Sequence, residues 1–131
     1  MRETQISVFV ENRPGRLAAI LEVLEANGIS IHGLSVSDAA EIGIIRMILS
    51  HPDRGLEELR RGGFTVRADP VLSIGIPDNP GGLLETVVRP LANAGVNLRY
   101  SYVYTHPSTR SVVAVIKTDD LEKAETALSA K

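Results

Sequence analysis

At 131 residues the chain has room for one ordinary domain or two very small ones. Hydrophobic residues make up 44% and charged residues 23%, the balance of a soluble globular protein, and a net charge of −2 offers no basic field to nucleic-acid phosphates. The absence of cysteine excludes a disulfide framework, a thiolate metal site and a cysteine nucleophile. The longest apolar stretches, such as "SVFV" and "IGII", are strand-sized and far short of the ~20 residues that span a bilayer. The first ten residues lack the pattern of a signal peptide. A cytoplasmic protein without nucleic-acid or membrane partners is expected.

In chain order, Ile6, Val8 and Val10 alternate with Gln5, Ser7 and Phe9, the two-residue period of a strand. After Pro14-Gly15, the spacing of Leu17, Ile20, Leu21 and Leu24 predicts an amphipathic helix that Gly28 stops. "ISIHGLSVSD" and "IGIIRMILS" read as two strands around the turn "DAAE". Asp53 can cap a second helix through "RGLEELRR", which Gly62-Gly63 ends before a strand "FTVRA".

Pro70 marks a boundary, and the order starts again. "VLSIGI" predicts a strand, Pro80-Gly81 opens a helix, and Gly95 closes it. "VNLRYSYVYT" and "SVVAVIKT" make a hairpin around "HPSTR", and "TDDLEKAETALSA" a last helix capped by Thr118 or Asp119. Pro80 lies 66 residues after Pro14, but Gly95 lies 67 after Gly28. The extra residue falls near Pro90, which must kink or interrupt that helix. Self-similarity over this length implies two copies of one unit, residues 1–69 and 70–131. The second copy lacks a counterpart of "FTVRA". Its sheet is expected to have three strands, with one edge open or completed by the other repeat.

The repeated Pro-Gly pair carries the chemistry. Proline suits the first helical position, and glycine beside it unscreens the helix end. The backbone N–H groups of Gly15, Arg16 and Leu17, and of Gly81, Gly82 and Leu83, would then face open space and suit a carboxylate. Side-chain oxygens of Asn12 and Asp78 can accept from an ammonium group, and Ser30 and Asn97 stand at matching positions before the next strand. Together these groups describe a free α-amino acid, with Arg13 in the same first loop. The plainer reading is that Asn12 and Asp78 are turn or cap residues and Pro-Gly an ordinary loop.

The doubled strand-helix-strand-strand-helix-strand order resembles a tandem pair of ACT domains, with "ENRPGRL" and "PDNPGGL" at the first junctions and "NGISI" and "AGVNL" after the first helices. "NRPGRL" followed by "NGISI" is especially similar to the ligand-binding ACT domain of phosphoglycerate dehydrogenase. The resemblance covers Gln5 to about Leu128. It implies an α+β fold of two ferredoxin-like βαββαβ repeats with antiparallel sheets, and an amino acid held at the first loop where two modules meet. By motif match the family's loop asparagine falls on Asn12 and Asp78, and its following polar residue on Ser30 and Asn97. Serine-binding members carry asparagine at both positions, a pairing neither copy reproduces.

Other constellations are weaker. His32, His51 and His106 show no ligand spacing, so neither a metal nor a cofactor is expected. Tyr100, Tyr102 and Tyr104 share one face of one strand. That face suits packing, or else a pocket wall in which Tyr100 meets the ligand. No nucleophile motif or phosphate loop is present, so a catalytic role is not expected. The expectation is a non-catalytic regulatory homodimer that binds a free amino acid at the Pro-Gly loops and modulates association or an enzyme of amino-acid metabolism. The alternative is a structural oligomerisation module with vestigial sites.

Overall fold

The alternation of Ile6, Val8 and Val10 does place one face of a strand in a core. In the computed structural model, which describes residues 1–11, 13–39 and 41–129, that strand is β1, Arg2–Glu11. The chain forms two units, Thr4–Pro70 and a second of Met1–Glu3 with Val71–Lys131. In the first, β1 is followed by α1 (Arg16–Ala26), β2 (Ile31–Ala39), β3 (Ile42–Leu49), α2 (Pro52–Arg61) and the start of β4 (Thr65–Gly75). The strand order is β2-β3-β1-β4, the ferredoxin-like arrangement, with β3 antiparallel to both neighbours. Ile6, Val8 and Val10 pack with Ile20 and Leu24 of α1, Met47 of β3 and Leu59 of α2. Each fully buried side chain of this kind contributes ~1.5–3 kcal/mol. The polar alternates Gln5 and Ser7 are buried as well, joined by a bond from Gln5 Nε2 to Ser7 Oγ (3.2 Å) and one from Ser7 Oγ to Asp69 Oδ2 (3.0 Å).

The glycine stops act through one motif. Gly28, Gly63 and Gly95 all adopt positive φ. In each case the next residue donates back across the turn: Ile29 to Leu24 O, Phe64 to Leu59 O and Val96 to Leu91 O. This six-to-one bond satisfies an orphan carbonyl and folds an apolar side chain under the helix end. The predicted caps fare differently. His51, not Asp53, occupies the cap of α2, with Pro52 first in the helix and Asp53 in its first turn, where it complements the helix dipole. The last helix, α4 (Leu121–Ser129), is capped by Asp120, whose Oδ1 accepts from the Lys123 amide at 3.0 Å, rather than by Thr118 or Asp119.

The second unit reuses β4. "FTVRA" and "VLSIGI" are not two strands but one, running through Pro70. Pro70 lies ahead of the β4–β6 register, which begins at Leu72, so that ladder asks no donor of it. A π-helical turn, Leu84–Val88, then α3 (Arg89–Asn93), β5 (Leu98–Thr105), β6 (Val112–Thr118) and α4 follow, with strand order β4-β6-β5. The π turn absorbs the extra residue. The Arg89 amide reaches back to Leu84 O, one residue farther than in an α-helix. Pro90, which has no amide and would clash with an α-helical carbonyl, follows directly. Leu72, Val87, Leu91, Ala114, Ile116 and Leu128 form the core. The missing fourth strand is supplied by Met1–Glu3: Met1 O accepts from the Ser73 amide at 2.6 Å, and the Arg2 and Glu125 side chains pair at 3.1 Å. Of the two expectations for that edge, the first repeat's own leading residues complete it.

Pro14 and Pro80 stand two residues ahead of the first helical position, not in it as expected. Neither is the first helical residue. Arg13–Arg16 and Asn79–Gly82 are type II turns, closed by Arg16 N–H to Arg13 O (3.3 Å) and Gly82 N–H to Asn79 O (3.0 Å). Gly15 (φ 87°, ψ −13°) and Gly81 (φ 80°) fill the third position, which demands left-handed backbone.

Two outcomes follow. Gly15→Ala has open space for its Cβ and meets only the left-handed penalty, about 1–2 kcal/mol. Gly82→Ala places its Cβ against the carbonyl oxygen of Pro77, backbone that cannot step aside, and should cost about 1–3 kcal/mol through forced loop movement. Urea unfolding of the two variants checks both. In the second unit, the Tyr104 hydroxyl donates to Glu3 Oε2 at 3.2 Å. Burial first, and then the Glu3 charge, push its pKa from 10.0 up to about 12. A raised pKa means that the folded state holds the proton more tightly. Stability should therefore be indifferent to this group below about pH 10 and fall as the pH rises toward about 12. Tyr104→Phe should flatten that segment of the stability profile, read by denaturation at stepped alkaline pH.

Candidate functional site

The turn at Pro14-Gly15 delivers the chain into α1 with no side-chain cap among the described residues. The Arg16 amide is spent on the turn and the Ala19 amide returns to Gly15 O at 3.0 Å. The amides of Leu17 and Ala18 are therefore the ones left without a partner among the described residues. No acidic residue occupies the first turn. Arg16 stands there instead, its charge opposing the helix dipole. Its guanidinium lies 5.3 Å from the centre of the Phe64 ring, and its buried Nε has no hydrogen-bond partner among the described residues.

Phe64 is where it is because Gly63 ends α2 in left-handed backbone and turns the next residue inward. On the far side of Arg16 a cleft of about 400 Å³ opens, walled by Phe9, Ile42 and Phe64, with Glu11 and Thr65 at its polar edge. The volume is within the range of roughly 300–1,000 Å³ usual for small-molecule sites. A smaller hollow of about 90 Å³ separates Arg16 and Leu17 from Ser37 and Asp38 of β2. Arg13 also lines the smaller hollow and pairs with Glu11 at 3.0 Å on the exposed loop.

The remaining sequence candidates divide between the two ends of each sheet. Asn12 lies outside the described residues. The Leu17 side chain packs onto the core. Ser30 is hydrogen-bonded to Ser50, its amide to Ser50 Oγ and its carbonyl to the Ser50 amide, at the Leu49 end of β3, whereas Glu11 pairs with Ile42 at the other end. The eight residues of β3 separate them by roughly 25 Å, so one amino acid cannot touch both within a repeat.

The second repeat has the same division. Asp78 is exposed beyond the Gly75–Val113 end, whereas Asn97 precedes the Leu98–Thr118 end, its amide bonded to Asp119 Oδ1 at 3.3 Å. The seven residues of β6 separate these ends by roughly 20 Å. Tyr100 is half-buried opposite Lys117 near the Asn97 end. Leu83 is 47% exposed. Gly82, the counterpart of Arg16, has the Pro77 carbonyl against it, so backbone stands where the first copy has a side chain. The two Pro-Gly junctions share a turn and differ in what they leave open.

Histidine serves structure in the hairpin. His106 Nδ1 accepts from the Ser108 and Thr109 amides at 3.1 and 3.3 Å. Among the described residues no cluster of three or more metal-ligating side chains occurs, and no helix is long and apolar enough to cross a membrane. Phe9, Ile42 and Phe64 were not singled out from sequence as site residues. Phe9 had a signal, being the aromatic among the polar alternates of β1. Phe64 had another, as the apolar residue after a helix-ending Gly-Gly.

The chain matches the family model described as an ACT domain pair over residues 1–131. No match is found among curated protein sequences. The crystal structure of protein BT0572 from Bacteroides thetaiotaomicron superposes with a TM-score of 0.89 at 31% identity, covering 98% of this chain and 88% of that one. The ligand-free regulatory subunit of aspartate kinase from Thermus thermophilus is similar in fold, with a TM-score of 0.67 at 18% identity over 97% of this chain and 89% of that one. The corresponding subunit from Thermus flavus gives 0.64 at 17%, over 99% and 92%. The chain belongs to the ACT family, as an ACT domain pair.

Proposed function

We propose that this ACT domain pair is a non-catalytic regulatory protein that binds a free amino acid at its first Pro-Gly junction. The observation that carries the reading is the uncompensated positive end of α1. Among the described residues the Leu17 and Ala18 amides have no partner, the first turn holds no acidic residue, and Arg16 adds a positive charge. A ligand carboxylate supplies the missing charge. The likeness in fold to regulatory subunits of aspartate kinase supports a regulatory role without fixing the partner. Binding would shift association of the chain with itself or with an enzyme of amino-acid metabolism, through different affinities in the two states.

The second junction fits the structural alternative better. There the Pro77 backbone closes on Gly82, and Asp78 stands exposed beside it. On this reading the first repeat senses and the second is chiefly scaffold.

A thermal-shift scan of the free amino acids at millimolar concentration tests the reading. At least one should raise the melting temperature, and light scattering should show its effect on association. A flat response to all of them would reject an amino-acid sensor. Asp78→Ala should leave the response intact.

A further inference from the structure

We propose that the cleft beside Arg16 selects an α-amino acid with an apolar side chain, its carboxylate on Arg16, its ammonium on Glu11 and its side chain against Phe9 and Ile42. The inference rests on the reading above and names the ligand class of that site.

Three features point the same way. Arg16 is held in place by the Phe64 ring, yet its buried Nε makes no hydrogen bond among the described residues. Arg16 also lines the cleft and has no ion pair among the described residues, and a planar guanidinium suits a carboxylate. The cleft is walled mainly by carbon: Phe9, Ile42 and Phe64, with Ile42 53% exposed at its rim. Such a surface gains from covering an apolar side chain, at roughly 25 cal/mol per Å² removed from water, and its charged groups, Arg16 and Glu11, are taken by the ligand's own carboxylate and ammonium. Glu11 supplies the one carboxylate at the edge. It already pairs with Arg13 on the solvent side, an exposed contact that an ammonium group can share.

The aromatic walls are themselves fixed. Phe9 is braced by Arg67, whose guanidinium lies 5.2 Å from the ring centre and is tied to Asp69 at 2.8 Å. Phe64 is fixed by the turn that ends α2. A preformed cleft loses little side-chain entropy on binding.

Isothermal calorimetry on the full chain, with leucine, phenylalanine, serine, aspartate, lysine and the oxo acid of leucine as probes, decides the matter. Leucine or phenylalanine should bind at least tenfold more tightly than the three polar amino acids, and more tightly than the oxo acid. Arg16→Ala should weaken that binding about tenfold or more with little change in melting temperature, Arg16→Lys should recover only part of it, and Phe64→Leu should weaken it about tenfold or more at temperatures where circular dichroism shows the variant folded. Glu11→Gln should erase the preference for the amino acid over the oxo acid. If a polar amino acid binds best, or if leucine binding is indifferent to Arg16 and Phe64, the ligand class or its place is wrong while the sensor reading stands. An oxo acid that equals leucine removes Glu11 from the site. No binding by any amino acid overturns both readings.

Discussion

Two glycines in left-handed backbone, Gly15 and Gly81, govern where each repeat leaves its first strand and enters its first helix. Proline before each fixes the preceding φ, so the Pro-Gly pair can form only a narrow set of turns, and the type II turn is the one it favours. The turn consumes one helix amide at Arg16 and one at Gly82. Among the described residues it brings neither an acidic first-turn residue nor a side-chain cap to α1. Everything proposed for the first junction follows from that local incompleteness. A serine or aspartate at the cap would have satisfied the amides internally and left nothing for a ligand to supply.

The fold was legible where the determinants are local. The two-residue period of β1, the stripe from Leu17 to Leu24 and the stops at Gly28, Gly63 and Gly95 all act within one turn or one strand. Each appears in the structure as read. What was not legible depends on distant partners. Nothing near Met1 indicates that it will accept from Ser73, because strand pairing is decided by an available edge rather than by sequence neighbours. The fusion of two predicted strands through Pro70 has the same origin. A proline reads as a boundary until the β4–β6 ladder is known to begin beyond it.

The site was half legible for a related reason. The motif located the junction, and the repeat made it credible. Pairing Ser30 with the loop, or Asn97 with its own loop, ignored strand direction. β1 and β2 are both antiparallel to β3 and so parallel to each other, which puts the end of one far from the start of the other. The cleft residues come from β1, β3 and the turn after α2, so no linear spacing joins Phe9, Ile42 and Phe64. Only their individual oddities were visible.

The divergence of the two junctions also has a physical form. Both copies keep the turn, since each needs the same change of direction between strand and helix. They differ at the next residue. Arginine at position 16 rests its guanidinium on the Phe64 ring and lines a cleft. Glycine at position 82 has no side chain, and the Pro77 carbonyl lies against the place a Cβ would take. The second junction in turn sits on a helix that has had to widen into a π turn ahead of Pro90. One residue of each pair thus separates a junction that carries a long cation from one that has room only for glycine, on the same backbone plan.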